Sequence, residues 1–475
     1  MTAPAPPGKL GWAGTAIYGI GAIGGAAKTV PITSFLMLYY HQVIGLSALA
    51  ISTVLMASLV LDAIWDPLVG QLSDTFRSRW GRRLPFMYLS IVPVTVLFLL
   101  LWMPPAGWPA PMLTAYLAVC VIGIRFFDTF FELPHVALVP ELTSDYHERT
   151  RLFTARYLFE AAGGLTVTAL AYNVFMKERP DGTGGLLAAE GYRPFAIFAA
   201  TVIVLSLTFC AAGLHRRIVS GAPPSPARRR SLGDHLRDMA ETLKSRSLAV
   251  LVAAAVFISI GSGIGSTLGI YWLMYFYRFT QAQITILTVP IMFGLLVIAA
   301  APAISARLGK RRAAILLLWI NAAAGAVPLL ARLLDLLPVQ GAGLLVLVGA
   351  QSVIGAGTMT MITITLSSMV ADLVEEAEAR TGRRSEGLLL ASSSFMRKAS
   401  QGLGTLGAGL LLMLAAFPQG MERDQVPAGV VDRMALLYLG VSLALTVITT
   451  LILSRYRGDR FDRTTGVGAS GAGCH

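Results

Sequence analysis

Two aspartates, Asp62 and Asp66, stand one helical turn apart inside an apolar segment that runs from Leu46 to Leu72. Residues i and i+4 lie on the same face of a helix, so the two carboxylates converge on one point. An ionised Asp at the centre of a membrane helix costs about 2.5–3.5 kcal/mol on insertion scales. Two acids at such a place call for a bound cation, a shared proton or a basic side chain. The chemistry these residue types and this spacing permit is the handling of a cation inside a membrane.

The elements that position such a pair follow from composition. Of 475 residues, 55% are hydrophobic and 13% are charged, a balance that fits a polytopic membrane protein and not a soluble enzyme. Apolar runs long enough to cross about 30 Å of hydrocarbon begin near Gly14, Leu46, Phe86, Pro111, Leu152, Phe195, Leu248, Ile284, Ala313, Gly341, Leu388 and Met434. An all-α membrane protein of about twelve transmembrane helices is expected. The start, Met1-Thr2-Ala3-Pro4-Ala5-Pro6-Pro7, lacks a basic stretch, which predicts that the first helix is retained. Cys120, Cys210 and Cys474 are too scattered for a disulfide or metal framework.

The net charge of +12 is concentrated in alternate loops. Arg77, Arg79, Arg82 and Arg83 follow the second run, Arg149 and Arg151 the fourth, and Arg216, Arg217 and Arg228-Arg229-Arg230 the sixth. Lys310-Arg311-Arg312, then Arg380, Arg383 and Arg384, then Arg455, Arg457 and Arg460 follow the eighth, tenth and twelfth. The loops between them, such as Met103 to Pro111, carry little positive charge. The positive-inside rule then puts both termini in the cytoplasm of a cell whose plasma (inner) membrane the chain spans. It also removes the need for a nucleic-acid partner. Asp74 with Arg82 and Arg83 is expected to form a cytoplasmic gate latch.

The chain reads as duplicated. Ser73-Asp74 … Gly81-Arg82-Arg83 recurs in weakened form as Ser305 to Arg312, and Leu138-Val139-Pro140-Glu141-Leu142 as Met369-Val370-Ala371-Asp372-Leu373. Corresponding positions lie six helices apart, the parallel repeat of a two-bundle transporter with a central site. The expected organisation is a six-helix bundle over 1–215, a cytoplasmic linker over 216–247 with an amphipathic helix near Leu232 to Leu243, a second bundle over 248–463 and a flexible tail over 464–475.

At these residues a resemblance enters. Asp62-Ala63-Ile64-Trp65-Asp66-Pro67-Leu68-Val69-Gly70 … Ser78-Arg79-Trp80-Gly81-Arg82-Arg83-Leu84-Pro85 resembles the signature of the glycoside–pentoside–hexuronide:cation symporters, the melibiose-permease branch of the major facilitator superfamily. Tyr18-Gly19-Ile20-Gly21-Ala22, Leu133-Pro134 … Leu138-Val139-Pro140-Glu141-Leu142-Thr143 and Thr381-Gly382-Arg383-Arg384-Ser385-Glu386-Gly387 … Lys398 extend the likeness over nearly the whole chain. The combination is specific to the family, while single motifs are not. The animal sodium-dependent lysolipid symporters resemble the same branch.

The resemblance implies roles position by position. Asp62, Asp66 and Thr129 match the cation site, a set of oxygen donors that suits Na⁺, Li⁺ or H⁺. Lys398 matches a lysine that reaches toward those acids. Glu132 and Arg156 match a sugar-binding acid and its arginine partner, able to grip hydroxyls with charge-assisted hydrogen bonds. Ala26 stands where the melibiose carrier has another sugar-contacting acid, and Leu59 where it has an arginine, so melibiose itself is not expected as the substrate. Lys28, Arg125 and Asp128 are additions to that pattern. Arg125 with Asp128 (i, i+3) and Arg156 with Glu160 (i, i+4) are spaced to pair within their own helices, which leaves structural and site roles both open. Lys28 facing Glu132 is a further arrangement the sequence leaves open.

Other signals carry less. Gly19-Ile20-Gly21-Ala22-Ile23-Gly24 and Gly402 to Gly407 fit a dinucleotide fingerprint only in letters, since neither follows a strand; they read as helix-packing surfaces. Tyr271, Trp272, Tyr275 and Tyr277 are candidates to stack on a sugar or to anchor a helix end, and Trp102 and Trp108 read as interfacial belt residues. The expectation is a monomeric, non-enzymatic secondary transporter in contact with membrane lipids, coupling Na⁺ or H⁺ to symport of a sugar or glycoside-like solute by alternating access. A lysolipid or other amphiphile carrier is the alternative, and a non-transporting membrane sensor the alternative of another class.

Overall fold

The computed structural model describes residues 10–143, 145–178, 184–219, 246–288, 307–339, 341–381, 386–421 and 423–456. Among them no strand forms beyond an isolated bridge between Glu178 and Gly184. Twelve helices of eight residues or more are present among the described residues: α1 Gly11–Ser34, α2 Ala48–Thr75, α3 Leu84–Leu101, α4 Ala110–Ala137, α5 Tyr146–Leu170, α6 Tyr192–Val219, α7 Arg246–Tyr271, α8 Gln281–Thr288, α9 Lys310–Leu333, α10 Ala342–Thr381, α11 Glu386–Leu414 and α12 Ala428–Ser454. Nine are long and apolar enough to cross a membrane, or ten with the bent first segment; α8 and α11 fall outside that count. Most of the helices begin before the apolar runs do, by up to six residues, as at Tyr146 against Leu152. A polar first turn extends a helix past the hydrocarbon, so hydropathy marks the slab and not the cap. Asp145 shows this, its side chain accepting the Glu148 amide at 2.9 Å in front of α5.

Pro31 breaks α1. It has no amide proton and its ring crowds the preceding turn, and the helix resumes after Phe35 at a bend of 43° as a short segment that ends in the wide turn Tyr39–Val43.

The chain forms two compact units. One comprises Met1–Leu232 with Gly263–Tyr271 and Thr405–Pro427, the other Gly233–Ser262, Trp272–Gly404 and Ala428–His475. In the first, α1 packs on α5 and α6, α4 on α2 and α3, and α3 on α6. In the second, α9 packs on α10 and α12, and Leu251, Leu317, Met361 and Leu453 lie in its buried core. The expected amphipathic helix in the linker, the tail and Cys474 lie outside the described residues, as do residues 289–306, where most of the eighth apolar run falls. Cys120 and Cys210 are free and buried.

The glycine stripe of α1 is a packing surface, as its spacing predicts. A Cβ on Gly19 would lie 2.8 Å from the Phe159 ring of α5, and one on Gly21 would lie 2.8 Å from Cys210 Sγ of α6. One on Gly24 would collide with Ser206 and sit 2.9 Å from Leu207 Cδ2. Trp102 departs from expectation: only 1% exposed, it stacks on Tyr192 at 5.6 Å instead of sitting in an interfacial belt. A large aromatic next to a helix end finds more contact in a ring cluster than at the headgroups. Trp108 is exposed.

Because α1 closes on α6 through Gly24, Gly24→Val is expected to destabilise the folded protein by about 1–3 kcal/mol. Gly25→Ala, with nothing within 4 Å of its new methyl, should match or exceed wild type. Thermal unfolding of the purified protein in detergent compares the two; an unchanged midpoint in Gly24→Val would break the close-packing argument.

Candidate functional site

Four residues of α4, Arg125, Asp128, Thr129 and Glu132, share one face at i, i+3, i+4 and i+7. Three neighbouring helices each bring a complementary group to that face. From α2, Asp62 is buried and Asp66 half-buried. Thr129 Oγ1 lies 3.2 Å from Asp62 Oδ1 and 3.5 Å from Asp66 Oδ1. The same hydroxyl is 3.0 Å from the Arg125 carbonyl one turn back. A hydroxyl carries one proton for these three acceptors. When the backbone carbonyl takes it, as in the usual helical back-bond, three oxygens face each other across α2 and α4. Such a cluster repels itself unless a positive charge is shared among them.

From α1, Lys28 forms an ion pair with Asp128, its side chain 5% exposed against 25% for the acid. From α5, Arg156 forms an ion pair with Glu132, whose side chain is 41% exposed and so the most accessible acid of the stripe. These pairings differ from the two intrahelical spacings and from Lys28 facing Glu132. A facing helix offers a head-on partner that shields both charges, whereas an intrahelical neighbour contributes only about 0.2–0.5 kcal/mol. Arg125 turns toward α2 instead: Nε donates to Ser58 Oγ at 3.0 Å, and Nη1 is 3.7 Å from Asp62 Oδ2.

The latch residues come together at the end of α2. Arg83 Nη2 is 2.6 Å from Asp74 Oδ1, and Arg83 Nη1 is 3.0 Å from Glu141 Oε1 while also donating to the Ala137 carbonyl. Arg82 grips Glu141 through Nε at 3.0 Å and Nη2 at 2.6 Å. The same construction recurs in the second unit, where Lys310 Nζ reaches Asp372 Oδ2 at 2.7 Å.

The remaining candidates each belong to their own unit. Tyr271 is fully buried, its hydroxyl 2.9 Å from His41 Nδ1. In the second unit Trp272 packs on Tyr438, Tyr275 is buried, and Lys398 is half-buried on α11. Ser58 and Glu141 are parts of these clusters that motif reading did not single out. Glu141 was legible as the acid in the duplicated Leu-Val-Pro-Glu-Leu segment; Ser58 had no signal beyond lying four residues before Asp62.

Comparison with known proteins then decides the class. The profile of the family described as MFS/sugar transport protein matches residues 17–460. The chain belongs to this family. It is 22% identical to the isoprimeverose transporter of Lactiplantibacillus pentosus over 91% of this chain and 85% of that protein. It is 25% identical to the glucuronide carrier protein homolog of Escherichia coli K12 over 93% and 92%. A crystal structure of a variant of the nucleoside transporter NupG shares the fold with a TM-score of 0.66 at 12% identity, covering 92% of this chain and 98% of that one. The protein is thus a multi-pass integral membrane transporter of the major facilitator superfamily, taking a small-molecule solute, and is not an enzyme.

Lys28→Met leaves Asp128 half-buried with its partner gone. A loss of about 3 kcal/mol is expected, the low end for breaking a buried pair because part of Asp128 stays accessible. Lys28→Met/Asp128→Asn should recover most of it. Thermal unfolding midpoints of the two variants test the pair; equal losses in both would show that it does not act as one.

Proposed function

We propose that this protein imports a sugar or glycoside-like solute by symport with a monovalent cation, Na⁺, Li⁺ or H⁺, through alternating access of two six-helix bundles, 1–215 and 248–463. The observation that carries the reading is the convergence of Asp62, Asp66 and Thr129 within an apolar helix pair, in a chain of the sugar transport family. Cation binding there neutralises acids that are costly in the membrane. It also stiffens the α2–α4 contact, and α4 carries Glu132 on the same face, so the cation site and the solute site share one rigid element. Glu132 and Arg156, with the Lys28–Asp128 pair beside them, suit the hydroxyls of a sugar, because a carboxylate accepts and a guanidinium donates in fixed geometry. Lys398, Tyr271, Trp272 and Tyr275 are the further residues assigned to solute binding. A cation moving inward down the membrane potential supplies about 2.3 kcal/mol per 100 mV. The protein works as a monomer in the inner membrane with both termini cytoplasmic. The names of the two relatives, an isoprimeverose transporter and a glucuronide carrier homolog, support a saccharide as the solute.

Thermal-shift screening against glycosides, pentosides, hexuronides and lysolipids, in sodium and in choline buffer, names the substrate, since a ligand stabilises by mass action. Uptake into proteoliposomes under an imposed Na⁺, Li⁺ or H⁺ gradient then tests the coupling. Wild type is expected to accumulate the saccharide hit. Asp62→Asn and Asp66→Asn should fall to the level seen without a gradient. Intact concentrative uptake in both variants would remove the cation site, and a response to lysolipids alone would replace the sugar with an amphiphile.

A further inference from the structure

Arg125 has a built seat beside the acid pair, and the symport reading above gives it no task. Ser58 is fully buried, and its own proton goes to the Leu55 carbonyl at 2.7 Å. That leaves the Ser58 oxygen lone pairs to accept Arg125 Nε–H at 3.0 Å. So held, the guanidinium places Nη1 3.7 Å from Asp62 Oδ2, while the other carboxylate oxygen, Oδ1, is the one that faces Thr129. The acid nearest along its own helix, Asp128, is engaged by Lys28 from α1. Lys28 therefore withdraws the local competitor and leaves Arg125 turned toward α2. An arginine does not shed its charge by deprotonation, so a positive charge persists next to Asp62 whatever else binds there.

We propose that Arg125 is the resident counter-ion of Asp62, a tethered charge that competes with the coupling cation and sets the affinity of the site for it. The proposal rests on the cation-site reading of Asp62, Asp66 and Thr129. A symporter must release its cation inside and return with the site unloaded, and an acid left in the membrane without positive charge opposes both steps. A guanidinium beside Asp62 limits that penalty in the unloaded state. It also repels an incoming cation, which weakens binding and speeds release. Because it engages Oδ2, it acts without displacing the three oxygens that face each other on the opposite side of the carboxylate.

The test uses the full-length purified protein and reads the cation dependence of its thermal unfolding. NaCl and LiCl are titrated against choline chloride at constant ionic strength, with a pH series in choline chloride for protons. In Arg125→Gln the half-stabilising concentration of the effective cation should fall about tenfold or, for a proton, the midpoint pH should rise by about one unit. Arg125→Lys, which keeps the charge, should stay near wild type, so that a Gln–Lys difference reports charge and not packing. Ser58→Ala, which removes only the seat, should shift the same way by less and serves where Arg125→Gln is not recovered folded. Unchanged or weakened cation affinity in Arg125→Gln and in Ser58→Ala, with Asp62→Asn unresponsive to the cation, overturns the counter-ion role and leaves the cation site standing. If wild type responds to no cation, or Asp62→Asn responds as wild type does, the cation-site reading itself fails and the counter-ion falls with it.

Discussion

A charge inside a membrane helix must be met by an opposite charge, and this requirement organises the first unit. The face of α4 carries Arg125, Asp128, Thr129 and Glu132, and it is supplied from three sides: α1 gives Lys28, α5 gives Arg156, and α2 gives Asp62. Each neighbour contributes the complement of the residue it faces, so the helix order around α4 and the pairing of charges specify each other. Rotating α4 by one residue would move the whole stripe about 100° away and separate every pair at once. The charges do more for register and specificity than for net stability, since buried pairs roughly offset their own desolvation.

That arrangement needs helices close enough for side chains to meet end to end. The glycines of α1 provide it toward α5 and α6, where Phe159, Cys210 and Leu207 occupy the space a side chain would take. Water is not available in the hydrocarbon to complete a pair left short. Small residues on α1 and charged residues on α4 are thus two halves of one solution: the first brings the backbones together, the second uses the proximity.

Much of this was legible in the sequence. The nine or ten spans among the described residues follow from apolar runs whose length the bilayer dictates, and the acid pair on α2 announces itself because two carboxylates in an apolar segment need a compensating charge. The duplicated loop motifs contain the residues of the ion pairs Arg82–Glu141 and Lys310–Asp372, though the pairings themselves were not read from them. The choice of partner was legible only in part. Helical spacing left Arg125 with Asp128 and Arg156 with Glu160 open, while the resemblance named Arg156 as the partner of Glu132, which the ion pair between them matches. Lys28 with Asp128 had no signal, because intrahelical spacing does not reveal a head-on partner from a packed neighbour. Trp102 failed for a similar reason: interfacial preference is an average, and a cluster with Tyr39 and Tyr192 outweighed it. Ser58 left no trace because a lone serine in a membrane helix looks like any other small residue.

The duplication also explains where the chemistry resides. Aligning Glu141 with Asp372 sets Arg125, Asp128, Thr129 and Glu132 of α4 against Ala356, Met359, Thr360 and Thr363 of α10. The threonine persists, and so does its back-bond: Thr360 Oγ1 donates to the Ala356 carbonyl at 2.9 Å, as Thr129 Oγ1 stands 3.0 Å from the Arg125 carbonyl. What α10 lacks is every charge around it. The back-bonded hydroxyl is thus common to both halves, and such a bond is neutral and needs no counterpart. In the first half the same hydroxyl faces acids on α2, and Arg125 stands beside them. In the proposed mechanism the coupling chemistry therefore sits in one half of the chain, while ion pairs at the helix ends, Arg82–Glu141 and Lys310–Asp372, occur in both.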